Sequence, residues 1–137
     1  GVSLGRLEGR YRLDPGGKFA VFREPPAGEA FYAESAAGAV IRLGSTRNEP
    51  AGDALFWQKS LKFYLTPLYA QVLPFELQGG ESLYGVSCTI PGNPGYIYDL
   101  FALPRNGTIY IAEGLFPLNG EPGLREAFHL AVEGSFR

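Results

Sequence analysis

Catalytic or metal chemistry could draw on one histidine and one cysteine among these 137 residues, beside fourteen Asp and Glu. Asp99 is the carboxylate with the strongest claim to a site. Side chains alternate along a strand with a period of two, so Asp99 shares a face with Ile97, Phe101 and Leu103, close to the core. A carboxylate there has either a raised pKa or a partner, and either condition marks functional sites. The competing reading keeps Asp99 near its strand end, hydrated or bonded to backbone N–H groups. His129 follows Phe128 on a helical stretch, off the centre of the apolar stripe, and reads as solvated or at a boundary rather than catalytic. No serine stands in a Gly-x-Ser-x-Gly elbow. Glycosidase chemistry needs two facing carboxylates, which spacing alone does not show. No catalytic residue is assigned, and the chain reads as a non-enzyme.

Cys88 by itself excludes an internal disulfide, and with a single histidine it builds no zinc site. It falls mid-strand among Tyr84, Val86 and Ile90, the setting of a buried, inert thiol. Gly16-Gly17 and Gly79-Gly80 are turns, and neither is the Gly-rich strand-to-helix loop that cradles phosphate. Neither metal nor cofactor is expected. Aromatic residues are plentiful, with eight Tyr, ten Phe and one Trp. Tyr64, Tyr69, Tyr84, Tyr96, Tyr98 and Tyr110 suit either the core or a groove, and Trp57 suits an anchor between helix and sheet. Asp99, Tyr96, Tyr98 and Trp57 are the candidate ligand or partner contacts. Asn106-Gly-Thr108 matches a glycosylation sequon, but a turn accounts for it equally well.

Composition bounds the class. The length fits one domain, 1–137, with a loosely ordered opening at 1–8, and it suffices to bury a sizeable core. Apolar content of 45% with 19% charged residues is globular. A net charge of −2 with basic residues scattered argues against nucleic acid or an anionic membrane as partner. No stretch approaches the roughly 20 apolar residues of a membrane span. Methionine is absent. Removal of a signal peptide is one simple source of such a chain, and excision from a longer one is another. Export is the slightly favoured expectation, a cytoplasmic setting the alternative.

The elements that must position these residues centre on 81–116. Asn106-Gly107 between apolar runs is the strongest short-range hairpin signal, since a type I′ turn needs positive φ at both central residues. It sets Arg105 opposite Thr108, Leu103 opposite Tyr110, Phe101 opposite Ala112 and Asp99 opposite Gly114. The other face carries Ala102 with Ile111, Leu100 with Glu113 and Tyr98 with Leu115. Neither face is polar, as expected of central strands covered on both sides.

Before this block, 10–14, 18–23, 30–35 and 39–43 read as four short strands of a meander, and 44–52 as a polar loop. Asp53 suits the N-cap of a helix to about Leu65. Its apolar positions are Ala54, Trp57, Leu61, Tyr64, Leu65 and Leu68, with Gln58, Lys59 and Lys62 on the surface. Thr66-Pro67 either ends or kinks that helix. Leu73 to Gln78 is extended. Leu124, Ala127, Phe128, Ala131 and Val132 form the stripe of a second helix, started at Pro122 and stopped at Gly134, with 135–137 as a short edge strand. The expected fold class is α+β, a mainly antiparallel sheet of six to eight strands with two amphipathic helices in an α/β/α sandwich.

Gly9-Arg-Tyr-Arg-Leu-Asp-Pro-Gly-Gly-Lys-Phe19, the hairpin from Tyr98 to Gly114 and the ending Phe128-His-Leu-Ala-Val-Glu-Gly-Ser-Phe-Arg137 together resemble PsbP-like and Mog-like (Ran-binding) domains. The likeness rests on element order across most of the chain; the turn at 36–39 and the loop at 91–95 have no counterpart in it. The resemblance implies an α/β/α sandwich doing non-enzymatic work, docking on a protein partner, often as an exported accessory protein or lipoprotein. The alternative is a small apolar ligand held in a pocket between sheet and helix.

Overall fold

The computed structural model describes residues 15–21, 31–78 and 82–135. The expected opening at 1–8, the strand at 10–14, the Gly79-Gly80 turn and the exit at 136–137 lie outside the described residues. Within them run β1 (Phe19–Val21), β2 (Phe31–Ser35), β3 (Val40–Arg47), α1 (Ala54–Leu65), β4 (Gln71–Leu77), β5 (Leu83–Ile90), β6 (Tyr96–Arg105), β7 (Thr108–Pro117) and α2 (Leu124–Ser135). The strands make a seven-stranded antiparallel sheet in the order β1-β2-β3-β7-β6-β5-β4.

Asn106 and Gly107 take φ of 51° and 80°, and the β6–β7 register is the one the turn demands, from Arg105 opposite Thr108 to Asp99 opposite Gly114. β3 runs on through Arg47, although 44–52 reads as loop throughout from its composition. Gly44 to Arg47 gain a ladder partner in Ile111 to Thr108 of β7, so long-range pairing overrides a polar composition. Pro74 sits in β4, an edge strand, where a residue without an N–H is tolerated.

Each helix packs on its own face. α2 lays Leu124, Phe128, Ala131 and Val132 on the larger core with Phe31, Ile41, Leu43, Phe101 and Leu103. Gly114 is bare because a Cβ there would lie 2.6 Å from the Phe116 ring and 2.7 Å from that of Phe128. Gly123, with φ of 89°, precedes the helix, and its carbonyl accepts the Ala127 N–H; Gly134 lies inside the helix rather than beyond its end.

α1 is capped by Asp53, whose Oδ1 accepts the Phe56 N–H at 2.8 Å. It stops at the Thr66-Pro67 step, where the Thr66 N–H closes on the Lys62 carbonyl and a turn leads into β4. It packs Leu65 with Val86, Cys88 and Leu100, flanked by Leu61, Tyr69, Val72 and Tyr98. Two expectations for this helix are corrected. Gln58 faces the sheet at 7% exposure, its Nε2 donating to the carbonyls of Phe75 (3.0 Å) and Gly85 (2.9 Å). Tyr64 and Leu68 point outward instead.

α1 spans β4 to β6. Over β3 and β7 the same face is half-buried, at Arg42, Ile111, Glu113 and Leu115. Helical cover is therefore narrower on the α1 side than the two shielded faces expected.

Candidate functional site

Asp99 is fully buried on the α2 side, far from the hydrated strand end of the competing reading. The strand register puts Ser87 of β5 beside it and the bare Gly114 of β7 on its other flank. Arg125 and His129, one turn apart on α2, reach down onto the carboxylate. Arg125 Nε donates to Oδ2 at 2.6 Å, its terminal nitrogen to Oδ1 at 3.1 Å, and His129 Nε2 lies 2.8 Å from Oδ2. Burial pushes this carboxyl up, but hydrogen bonds from His129, Arg125 and Ser87 outweigh it and hold the group below the usual carboxylate range. The same carboxylate bond raises the Arg125 pKa. His129 is 17% exposed, stacked on Phe75 at 5.4 Å and edge-on to Phe101 at 5.7 Å.

An acid and an imidazole thus meet, a pairing the one-dimensional sequence does not reveal. Ser87, the hydroxyl in the cluster, bonds to the carboxylate and the guanidinium. Asp99 itself is sealed from solvent, whereas the His129 and Arg125 side chains remain 17% and 39% exposed. What this geometry does is clamp α2 to the sheet through a bidentate, charge-assisted contact.

Tyr98 lies on the other face. With Tyr32, Val40, Arg42, Tyr69 and Glu113 it lines a cleft of about 370 Å³ beside the C-terminal turn of α1. Arg42 pairs with Glu113 at 3.2 Å, and the Tyr98 hydroxyl donates to the same carboxylate. Burial, then that hydrogen bond, raises the Tyr98 pKa well above the usual phenol value. Tyr96 is half-buried opposite Ile90 and Pro117, outside the cleft wall. Trp57 anchors α1 to the preceding loop rather than to the sheet. Its Nε1 donates to Asn48 Oδ1 at 2.9 Å, and Asn48 also bonds the backbone of Gly52. Asp99, Tyr96, Tyr98 and Trp57 therefore share no single site.

The outward face of α1 includes Tyr64 and, at its edge, the candidate Trp57, but its other residues do not stand out in the sequence. Phe63 is 86% exposed and Tyr64 71%, joined by Leu68, Phe56 and Leu55. Two hollows, each of about 540 Å³, flank this face, and Lys59 and Phe63 line both. A helix carrying large apolar groups on its core side and its solvent side has more apolar surface than one sheet can cover.

The sheet order, the two covering helices and their place in the chain settle what this architecture is like. The fold is shared with Mog1p and PsbP. The structure of the Saccharomyces cerevisiae Ran-binding protein Mog1p superposes with a TM-score of 0.68 at 12% identity, covering 98% of this chain and 91% of that one. Cyanobacterial PsbP (CyanoP) from Synechocystis sp. PCC 6803 gives 0.60 at 8% identity, covering 99% and 91%. A Bacteroides thetaiotaomicron VPI-5482 structure gives 0.51 at 11% identity over 85% of this chain and 42% of that one. No protein-family model matches the chain, and no curated protein does so significantly. The likeness to the first two confirms the α/β/α expectation; at these identities it concerns architecture alone.

Arg125 and Ser87 do not stand out in the sequence. The available signal is the i, i+4 spacing of Arg125 and His129, two basic groups flanking the α2 stripe. Among the described residues no group of three His, Cys, Asp or Glu side chains is arranged to hold a metal ion. No described helix is long and apolar enough to cross a membrane.

Proposed function

We propose that this chain is a non-enzymatic accessory domain that docks on a protein partner through the outward face of α1. The observation carrying this reading is the exposure of Phe63 and Tyr64, at 86% and 71%, on a well-capped helix whose other face already holds the sheet. Contiguous exposed aromatic surface of this kind is characteristic of interaction sites. The architecture it shares with a Ran-binding protein supports the same class of work. An exported setting, as a bacterial accessory protein or lipoprotein, belongs to the proposal; fractionation that finds the protein in the cytosol of its source cells would remove that part.

The test is retention of partners from source extract on immobilised wild-type chain against a Phe63→Ser/Tyr64→Ser variant. A saturable protein partner held by the first and lost by the second is expected. Equal retention by both would end the assignment to this face.

A second reading, a small apolar ligand between sheet and helix, draws on the Tyr98 cleft, whose volume of about 370 Å³ falls within the range of ligand pockets. Saturable displacement of an environment-sensitive apolar dye, weakened by Tyr98→Ala, would favour it over docking.

A further inference from the structure

The outward face of α1 carries one sign of charge. Lys59 and Lys62 are both exposed within the aromatic patch, and no Asp or Glu occurs between Asp53 and Glu76. The rest of the chain is acidic on balance, because the whole carries a net charge of −2 with these lysines included. Along α1 itself the patch is thus basic, with greasy walls. Its two hollows share the wall formed by Lys59 and Phe63, so an occupant that fills both must lie along the helix and pass the two ammonium groups.

We infer that this face takes an acidic amphipathic segment of a partner protein, apolar side chains entering the hollows and carboxylates meeting Lys59 and Lys62. The inference rests on the docking reading above and names the chemistry of the docked segment. Two other occupants fit less well. A second copy of this chain packed face to face would gather four lysines in one interface, with only the N-cap Asp53 of each copy to oppose them. An anionic lipid surface needs a basic cluster for stable attachment, and α1 offers two lysines.

Trp57, the only tryptophan, lines one hollow and so reports on its occupation by fluorescence. The probes are an amphipathic Leu/Glu helical peptide of about 15 residues, its Leu/Lys counterpart, and phosphatidylserine vesicles. Saturable perturbation of Trp57 by the Leu/Glu peptide, and not by the Leu/Lys one, is expected. Affinity should fall at least about tenfold in Lys59→Gln/Lys62→Gln, and likewise on raising salt from about 0.05 M to about 0.5 M. Lys59→Glu/Lys62→Glu should reverse the preference between the peptides. Circular dichroism melts confirm that these surface variants remain folded. Indifference to peptide charge, binding to vesicles alone, or self-association lost in Phe63→Ser would each overturn the inference. If an extract partner is lost with Phe63→Ser/Tyr64→Ser yet kept by Lys59→Gln/Lys62→Gln, docking stands and its acidic specificity falls. If neither variant loses it, both fall.

Discussion

Removing either partner of the Asp99–Arg125 contact should destabilise the protein, but by unequal amounts, because burial is unequal. Asp99 is 0% exposed and Arg125 39%. Asp99→Asn frees a guanidinium that can turn into water, leaving a neutral amide to bond Ser87 and His129; the loss should be about 1–2 kcal/mol. Arg125→Ala leaves a buried carboxylate without its guanidinium, with His129 and Ser87 as its remaining side-chain partners. Breaking a buried pair that way costs about 3–5 kcal/mol, and the half-exposed guanidinium argues for the lower end, about 3 kcal/mol. In a domain of this length that lowers Tm by about 10 °C.

The pH dependence separates the two variants. The folded pKa of Asp99 lies below its unfolded value, so the group contributes stability above about pH 4, and this is lost as pH falls through the folded pKa. The deficit of Asp99→Asn should therefore shrink only below about pH 4. In Arg125→Ala the effect of burial is less opposed and the folded pKa of Asp99 rises, so its deficit should begin to shrink at a higher pH than that of Asp99→Asn. Urea titrations at a series of pH values measure both. An Arg125→Ala loss no larger than that of Asp99→Asn, or the same pH window for both, would refute a sealed carboxylate clamped by α2.

Other outcomes follow from single contacts. Gly114→Ala places a methyl 2.6 Å from the Phe116 ring and 2.7 Å from that of the buried Phe128, and overpacking should cost about 1–3 kcal/mol in chemical denaturation. Gln58→Leu removes the donor to the Phe75 and Gly85 carbonyls and should cost about 1–3 kcal/mol, whereas Lys59→Leu on the exposed side should change stability by less than about 0.5 kcal/mol. The Cys88 thiol, buried and pushed up to about 11 by that burial and then by Asp99, should resist a thiol-specific reagent at neutral pH until urea unfolds the chain.

What the sequence determined by itself is what local chemistry settles. Asn106-Gly107 demands positive φ, and with a period of two that turn places every partner along β6 and β7. Asp53 supplies an acceptor for an orphan N–H, and the 3.6-residue stripe from Leu124 to Val132 needs only a greasy surface to lie on. Tertiary structure decided whatever depends on groups distant in sequence. Gln58 reads as a surface residue until β4 and β5 bring two carbonyls under it. Gly44 to Arg47 read as loop until β7 offers a ladder. Asp99 has no visible partner until α2 folds back over β5 and β6. Turns and caps act over a few residues and leave their mark in adjacent letters. Burial and ion pairing depend on which elements meet, and no short window of the chain contains that information.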